Sequence, residues 1–247
     1  MQQSDNASQH RLSHLEGMEL PKGNYLLEHL ISISNMSVIY KAVDRSSRRY
    51  VAVKMLLTKR YLQRFKNEVE ISWGHRRNVA SALRYELDGE RLADGTVIRY
   101  MVMKWLSGPS LSERIKALKA SGSGMADLLR FCDRLLSKLA PALDELHEIG
   151  LVHLDVKPSN ILFNSDEFET DEPYLIDFGI AQWLNVRAEE ATMVEEDGAE
   201  AYTHVTLENE IVNEGSDRPG TANYMPPEQW RGSIRSGVTD QYALAIT

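Results

Sequence analysis

The 247-residue sequence predicts an α+β protein built as two lobes. Three observations carry that expectation. Short runs of β-branched and apolar residues fill Tyr25 to Met55. A broad apolar stripe with helical spacing runs from about Met125 to Glu148. Strands and one helix come first and mostly helices follow, with a break at Ser107-Gly108-Pro109-Ser110 between the two parts. The expected division is a flexible leader over residues 1–23, a first lobe over 24–106 and a second over 107–247.

The leader is polar (MQQSDNASQHRLSHLEGMEL) and has no apolar core of a secretory signal. The stretches NYLLEHLISI, VIYKAV and RYVAVKML read as strands, and Asp44 to Ser47 as the turn between the second and third. KRYLQRFKNEVEISWG places Leu62, Phe65, Val69 and Trp73 on one helical face, and Gly74 ends the helix. ALRYELDGERLADGTVIRYMVMKWL reads as two strands around a DG-containing connection. Ser110 and Glu113 form a capping box for a short helix, and Ser121 to Gly124 is a flexible link. In the long helix, Leu128, Leu129, Phe131, Cys132, Leu135, Leu136, Leu139, Leu143 and Leu146 make the stripe. Pro141 within it predicts a kink or a break.

At 43% hydrophobic and 26% charged, the composition is that of a globular protein. The net charge of -8 argues against nucleic acid as a partner. Residues 187–218 carry all of that charge, with ten acidic and two basic side chains. Such a run reads as solvated or disordered chain, expected over about 187–216. A single cysteine, Cys132, excludes an intrachain disulfide and suits a reducing, cytoplasmic setting. No apolar run approaches the roughly 20 residues of a membrane helix.

LVHLDVKPSNIL, Leu151 to Leu162, is dense in functional groups. Asp155 can accept a proton from an attacking hydroxyl. Lys157 can neutralise charge developing on a transferred phosphoryl group. Asn160 offers a hard oxygen to Mg2+. Further on, YLIDFGIA delivers Asp177 at the end of an apolar run, followed by Phe178 and a permissive Gly179. LISISNMSVIYKAV raises a separate question. Ser32, Ser34 and Ser37 fall where glycines of a G-x-G-x-x-G-x-[VI] phosphate loop would stand, with Ile39 following. Read alone, its alternation of Ile31 and Ile33 with serines is that of a strand.

Together these motifs resemble the protein kinase family, in particular the eukaryotic-like serine/threonine kinases of bacteria. VAVK (51–54), HLDVKPSN (153–160), DFG (177–179), GTANYMPPE (220–228) and SGVTDQYALAIT (236–247) match in order, and the resemblance covers roughly Tyr25 to Thr247. It implies a kinase-like fold with a small β-rich N-lobe, one key helix and a helical C-lobe that is incomplete at Thr247. It also implies ATP and Mg2+ as cofactors and a protein substrate with a serine or threonine hydroxyl. By resemblance, Lys54 holds phosphates and pairs with a glutamate of the following helix, for which Glu68 is favoured over Glu70. Asp155 and Lys157 are catalytic, and Asn160 and Asp177 bind metal. Ser32, Ser34, Ser37, Ile39, Ala52, Lys54, Met103, Lys104, Trp105 and Leu106 line the nucleotide site. Thr221 and Glu228 belong to the activation segment, and Asp240 is the buried aspartate of the central helix.

Four departures stand out. The loop glycines are serines, which predicts a stiffer, more strand-like loop. Leu154 replaces the arginine that meets an activation-loop phosphate, so a non-RD enzyme is expected, with Thr192, Thr203, Thr206 and Ser216 as bystanders. Asp177 to Glu228 spans 52 residues, and the acidic excess is expected to select basic substrates or to inhibit the site. The chain stops inside the central helix, so poor stability in isolation is expected. The rival readings are a pseudokinase or kinase-like scaffold without catalysis and a small-molecule kinase of related fold. Lys157-Pro158 and GTANYMPPE speak against the second.

Overall fold

Period-two burial and tight turns assemble the first lobe as one antiparallel sheet. The computed structural model describes residues 12, 14–20, 22–74, 76–167, 170–183, 220–231 and 236–247. The acidic stretch 187–216, its four hydroxyl residues and the link at 232–235 lie outside them. The sheet runs β1 (Glu19–Leu20), β2 (Tyr25–Ile33), β3 (Ser37–Asp44), β4 (Arg49–Leu56), β5 (Ala82–Arg91) and β6 (Val97–Lys104), in the order β1-β2-β3-β4-β6-β5. Asp44 closes the β3–β4 turn by accepting from the Ser46 N–H at 2.8 Å and the Ser47 hydroxyl at 2.8 Å. Asp94-Gly95 turns the chain into β6, and Asp88-Gly89 lies at an irregularity within β5.

Strand β4 explains the division of labour. Its residues 51–56 are buried without exception, so both faces of the strand are covered. Val51, Val53 and Met55 enter the sheet core with Tyr40, Ile98 and Tyr100. Ala52, Lys54 and Leu56 point to the other face. There Leu56 meets Phe65 and Val69 of α1 (Leu62–Ser72) and Met101 of β6.

The second lobe is held by α3 (Met125–Glu148), against which α2 (Leu111–Ser121), β7 (Leu151–Val152), β8 (Ile161–Phe163), β9 (Pro173–Leu175) and α5 (Gly237–Ile246) are arranged. Strand β10 (Gln182–Trp183) pairs with β7, and α4 (Pro227–Arg231) precedes α5. Helix α2 begins with a complete capping box, since Ser110 Oγ accepts from the Glu113 N–H and Glu113 Oε2 accepts from the Ser110 N–H at 2.7 Å. At the preceding break Gly108 is sterically required, because a Cβ there would lie 2.1 Å from the Ser165 carbonyl oxygen. The lobes join through residues 78–80. Leu175 N–H donates to Asn78 O at 2.8 Å and Ala80 N–H to Leu175 O at 2.9 Å. The α+β, two-lobed expectation therefore holds. Among the described residues no helix is long and apolar enough to cross a membrane.

Four sequence expectations need correction. Part of the leader is packed: Leu12, Leu15 and Leu20 are buried in the sheet core, and β1 pairs with β2. Its polarity conceals three leucines, for which the sheet supplies a buried floor. Helix α3 runs unbroken through Pro141, because Leu135 and Leu139 before it and Ala142, Leu143 and Leu146 after it are all buried in one core. Its stripe is narrower than expected, with Leu129, Cys132 and Leu136 exposed. Trp73 lies beyond α1, half exposed, and meets Tyr85 edge-on with centroids 5.0 Å apart.

The leader's attachment is testable at Tyr40, whose buried hydroxyl donates to Leu12 O at 2.7 Å and accepts from the Leu15 N–H at 3.1 Å. Tyr40→Phe strands both groups and is expected to cost about 1–3 kcal/mol. The readouts are a lower urea midpoint and faster proteolysis ahead of β1; an unchanged midpoint contradicts the attachment.

Candidate active site

The cleft face of the sheet is set by register. Ile39 opposes Lys54, Lys54 opposes Met101, and Ala52 opposes Met103, so these side chains share one side. Trp105 and Leu106 follow β6; Leu106 is buried, Trp105 half-buried, and the exposed Lys104 places its ammonium 5.0 Å from the Tyr174 ring centroid. Lys54, with only 4% of its side chain exposed, bonds Glu68 Oε1 through a very short contact and Asp177 Oδ1 at 3.2 Å. Glu68 reaches it because Phe65, Glu68, Val69 and Ser72 share the buried face of α1, whereas Glu70 is exposed.

Charge compensation governs this cluster. Burial alone would lower the Lys54 ammonium, but Glu68 and Asp177 outweigh it and hold the pKa above its usual value. Burial raises the Glu68 carboxyl, with Lys54 opposing. The Lys54 charge holds the Asp177 carboxyl below its usual range. With 47% of its side chain exposed, Asp177 is partly screened by solvent.

The second group gathers on the loop after β7. Lys157 Nζ donates to Asp155 Oδ2 and to Thr221 Oγ1, each at 2.7 Å, and the Thr221 hydroxyl donates to Asp155 Oδ1 at 2.9 Å. Asn160 Nδ2 donates to the Asp155 carbonyl and to Oδ2, both at 2.9 Å. A backbone bond from Ile176 N–H to Asn160 O, 3.0 Å, brings the chain entering Asp177 beside Asn160. The loop is held from below by buried Asp240, whose two oxygens accept the His153 and Leu154 N–H groups at 2.8 Å, while His147 Nε2 lies 2.9 Å from Oδ2. Gln229 Nε2 donates to Leu154 O at 3.1 Å. Leu154 and Asp177 both adopt left-handed backbone, with φ of 66° and 65°. Such conformations persist where surroundings over-determine them.

The serine loop is strand-like. Ser32 lies in β2 and Ser37 begins β3. Ser34 closes the tip: its N–H donates to Ser37 O at 2.8 Å, its hydroxyl donates to the same oxygen at 3.0 Å, and its Oγ accepts from the Ser37 N–H at 3.0 Å. None of the three has positive φ, so this form of the loop needs no glycine.

Other predicted positions lie further out. Glu228 stands half-buried in the first turn of α4, and Thr221 is the sole described activation-segment residue seen on Asp155. Sequence reasoning missed Met36, Asn78 and Gln229. Asn78 has left-handed backbone and donates to the Pro173 carbonyl at 2.7 Å. Its only sequence signal is an asparagine beside the apolar run Val79-Ala80.

Comparison with known proteins agrees with this geometry. The protein kinase domain family matches residues 25–247. A probable serine/threonine-protein kinase of Clostridium acetobutylicum is 29% identical over 231 residues, covering 90% of this chain and 29% of the relative. The probable serine/threonine-protein kinase PknB of Corynebacterium glutamicum is 31% identical over 224 residues, 89% of this chain and 30% of the relative. The serine/threonine-protein kinase PknA of Mycobacterium tuberculosis is 30% identical over 231 residues, 91% of this chain and 45% of the relative. The chain thus spans less than half the length of these curated relatives.

The buried ion cluster makes a pH-dependent prediction. Lys54→Met removes the cation and leaves Glu68 buried, which breaking a buried pair puts at about 3–5 kcal/mol near neutral pH. Without Lys54 the Glu68 pKa rises further above its ordinary 4.5. The penalty is therefore full above the raised folded pKa and fades as pH falls through it toward 4.5. Urea unfolding of both proteins at pH 8 and pH 5 checks this: the gap narrows at pH 5, and a gap that widens overturns the assignment.

Proposed function

The chain belongs to the protein kinase domain family, and on that premise we propose that it transfers the terminal phosphoryl group of ATP, with Mg2+, to serine or threonine hydroxyls of a protein substrate. The observation that carries the reading is the convergence of Lys157, Thr221 and Asn160 on Asp155. Asp155 accepts the proton of the attacking hydroxyl and orients its oxygen. Lys157 sits against that carboxylate and offers its charge to the oxygens of the group in transfer. The Thr221 hydroxyl bridges Asp155 and Lys157, which ties the substrate side of the cleft to the base.

Lys54 would hold phosphate oxygens, oriented by Glu68. The cleft face of Ile39, Ala52 and Met103, with the backbone of 104–106, would receive the adenine. Asn160 and Asp177 suit Mg2+: both offer hard oxygen, and Asn160 commits its amide nitrogen to Asp155, turning its carbonyl oxygen elsewhere. Bound Mg2+ neutralises charge on the phosphate oxygens.

Leu154, 4% exposed and without charge, supports non-RD regulation, in which no activation-segment phosphate is gripped beside Asp155. The domain division at about Ser107 and a cytoplasmic setting complete the reading. A non-catalytic nucleotide-binding module is the second reading, favoured by the glycine-free, strand-like loop.

A transfer assay with radiolabelled ATP, Mg2+ and a basic serine/threonine protein separates them. Asp155→Asn keeps the size of the side chain but removes the base and one of its two acceptor oxygens, and is expected to cut incorporation roughly 10²–10⁴-fold in a protein that still unfolds cooperatively. Equal incorporation by both proteins would sink the catalytic assignment.

A further inference from the structure

Lys54 is the cation that a nucleotide's phosphates would meet, yet its side chain is only 4% exposed. The turn between β2 and β3 lies over the same face of β4. Met36, at the tip of that turn, is packed against Leu56, Phe65, Val69 and Met101, the cluster that also seats α1. Its carbonyl accepts from the Leu57 N–H at 2.9 Å, and its own N–H donates to Ser34 Oγ at 3.2 Å. The side chain reaches the far side of the cleft. A Cβ built on Gly179 would lie 3.1 Å from Met36 Cε, 3.3 Å from Asp177 Oδ1 and 3.9 Å from Glu68 Oε2. The methyl and both carboxylates therefore ring one small space, which glycine leaves open. Glu68 Oε2 faces that space and is buried without a hydrogen-bond partner among the protein groups of the described residues.

We propose that Met36 is a lid residue: its thioether closes the cleft over Lys54 and Glu68, beside the half-exposed Asp177, and the phosphates of a nucleotide enter by displacing it. The inference rests on the reading of this cleft as a nucleotide site. Its physical basis is competition. The apolar seat stabilises the closed tip, so apparent affinity for nucleotide is reduced by the fraction of molecules with the tip lifted. Methionine suits the task because its unbranched chain fills an irregular gap and repacks readily. Ser34, bonded to both Met36 and Ser37, makes the tip a short unit that moves as a whole.

Two measurements on the full chain test the lid, one of them independent of nucleotide. The first is the acetylation rate of Lys54 by a small N-hydroxysuccinimide ester, read by peptide mass spectrometry against the exposed Lys59 and Lys66. The second is the Kd of a fluorescent ATP analogue with Mg2+. Met36→Ala should raise the Lys54 rate about three- to tenfold and lower the Kd by a similar factor, while Lys59 and Lys66 keep their rates. Met36→Leu restores an apolar cover and should behave as the native protein. Should Met36→Ala fail to fold, which faster labelling of all three lysines reports, Met36→Gln keeps the chain length without the apolar seat and reads the same quantities. Unchanged Lys54 labelling overturns the lid. Faster labelling with an unchanged or weaker Kd overturns the competition. Faster labelling in a protein that binds no nucleotide in either form leaves the lid standing and removes the nucleotide reading instead.

Discussion

A buried cation must be paired, and the pairing of Lys54 is the constraint on which both lobes depend. Its burial follows from the covering of both faces of β4, with Tyr40 and Tyr100 on one side and α1 on the other. An ammonium left alone there would lose its proton or unfold the strand's surroundings. Glu68 supplies one countercharge from α1 and Asp177 a second from the other lobe. The same requirement that makes the lysine tolerable also brings a helix, a sheet and the chain after β9 into one register. The Met36 methyl borders this cluster on the side of Gly179.

The loop bearing Asp155 depends on a second buried charge. Asp240 is fully buried, and its carboxylate is spent on two backbone N–H groups, with His147 beside it. Those bonds, with Gln229 on the Leu154 carbonyl, hold a leucine in left-handed backbone. A β-carbon in that conformation costs on the order of 1–3 kcal/mol, which the surrounding bonds offset. The result is a loop with little freedom, on which Asp155, Lys157 and Asn160 keep fixed separations. Preorganisation of that kind is what the proposed phosphoryl transfer requires, because such chemistry is mostly positioning and charge stabilisation.

Local chemistry was readable wherever one residue type has one dominant use. The Ser110–Glu113 capping box, the Asp44 turn and the end of α1 at Gly74 are all governed by neighbours within a few positions. Errors arose where distant partners decide. Leu12, Leu15 and Leu20 sit in a polar segment, and only the sheet core makes them buried. Pro141 is a helix breaker by itself, but leucines on both sides of it anchor α3 in one core and override the local cost. Leu129 and Leu136 share the apolar spacing of their neighbours and are nonetheless exposed.

Order, type and spacing of residues determined the two-lobed α+β plan, the family, and which side chains merit attention: Lys54, Glu68, Asp155, Lys157, Asn160 and Asp177. These are short-range signals, since a motif carries its own chemistry. Tertiary structure alone decided what those groups touch. It set Thr221 between Asp155 and Lys157, turned Ser34 into a clasp for the loop tip, and put Met36 across the cleft on Gly179. No pattern within the chain encodes these contacts locally. They arise because strands and helices far apart in sequence converge on buried charges that have to be satisfied.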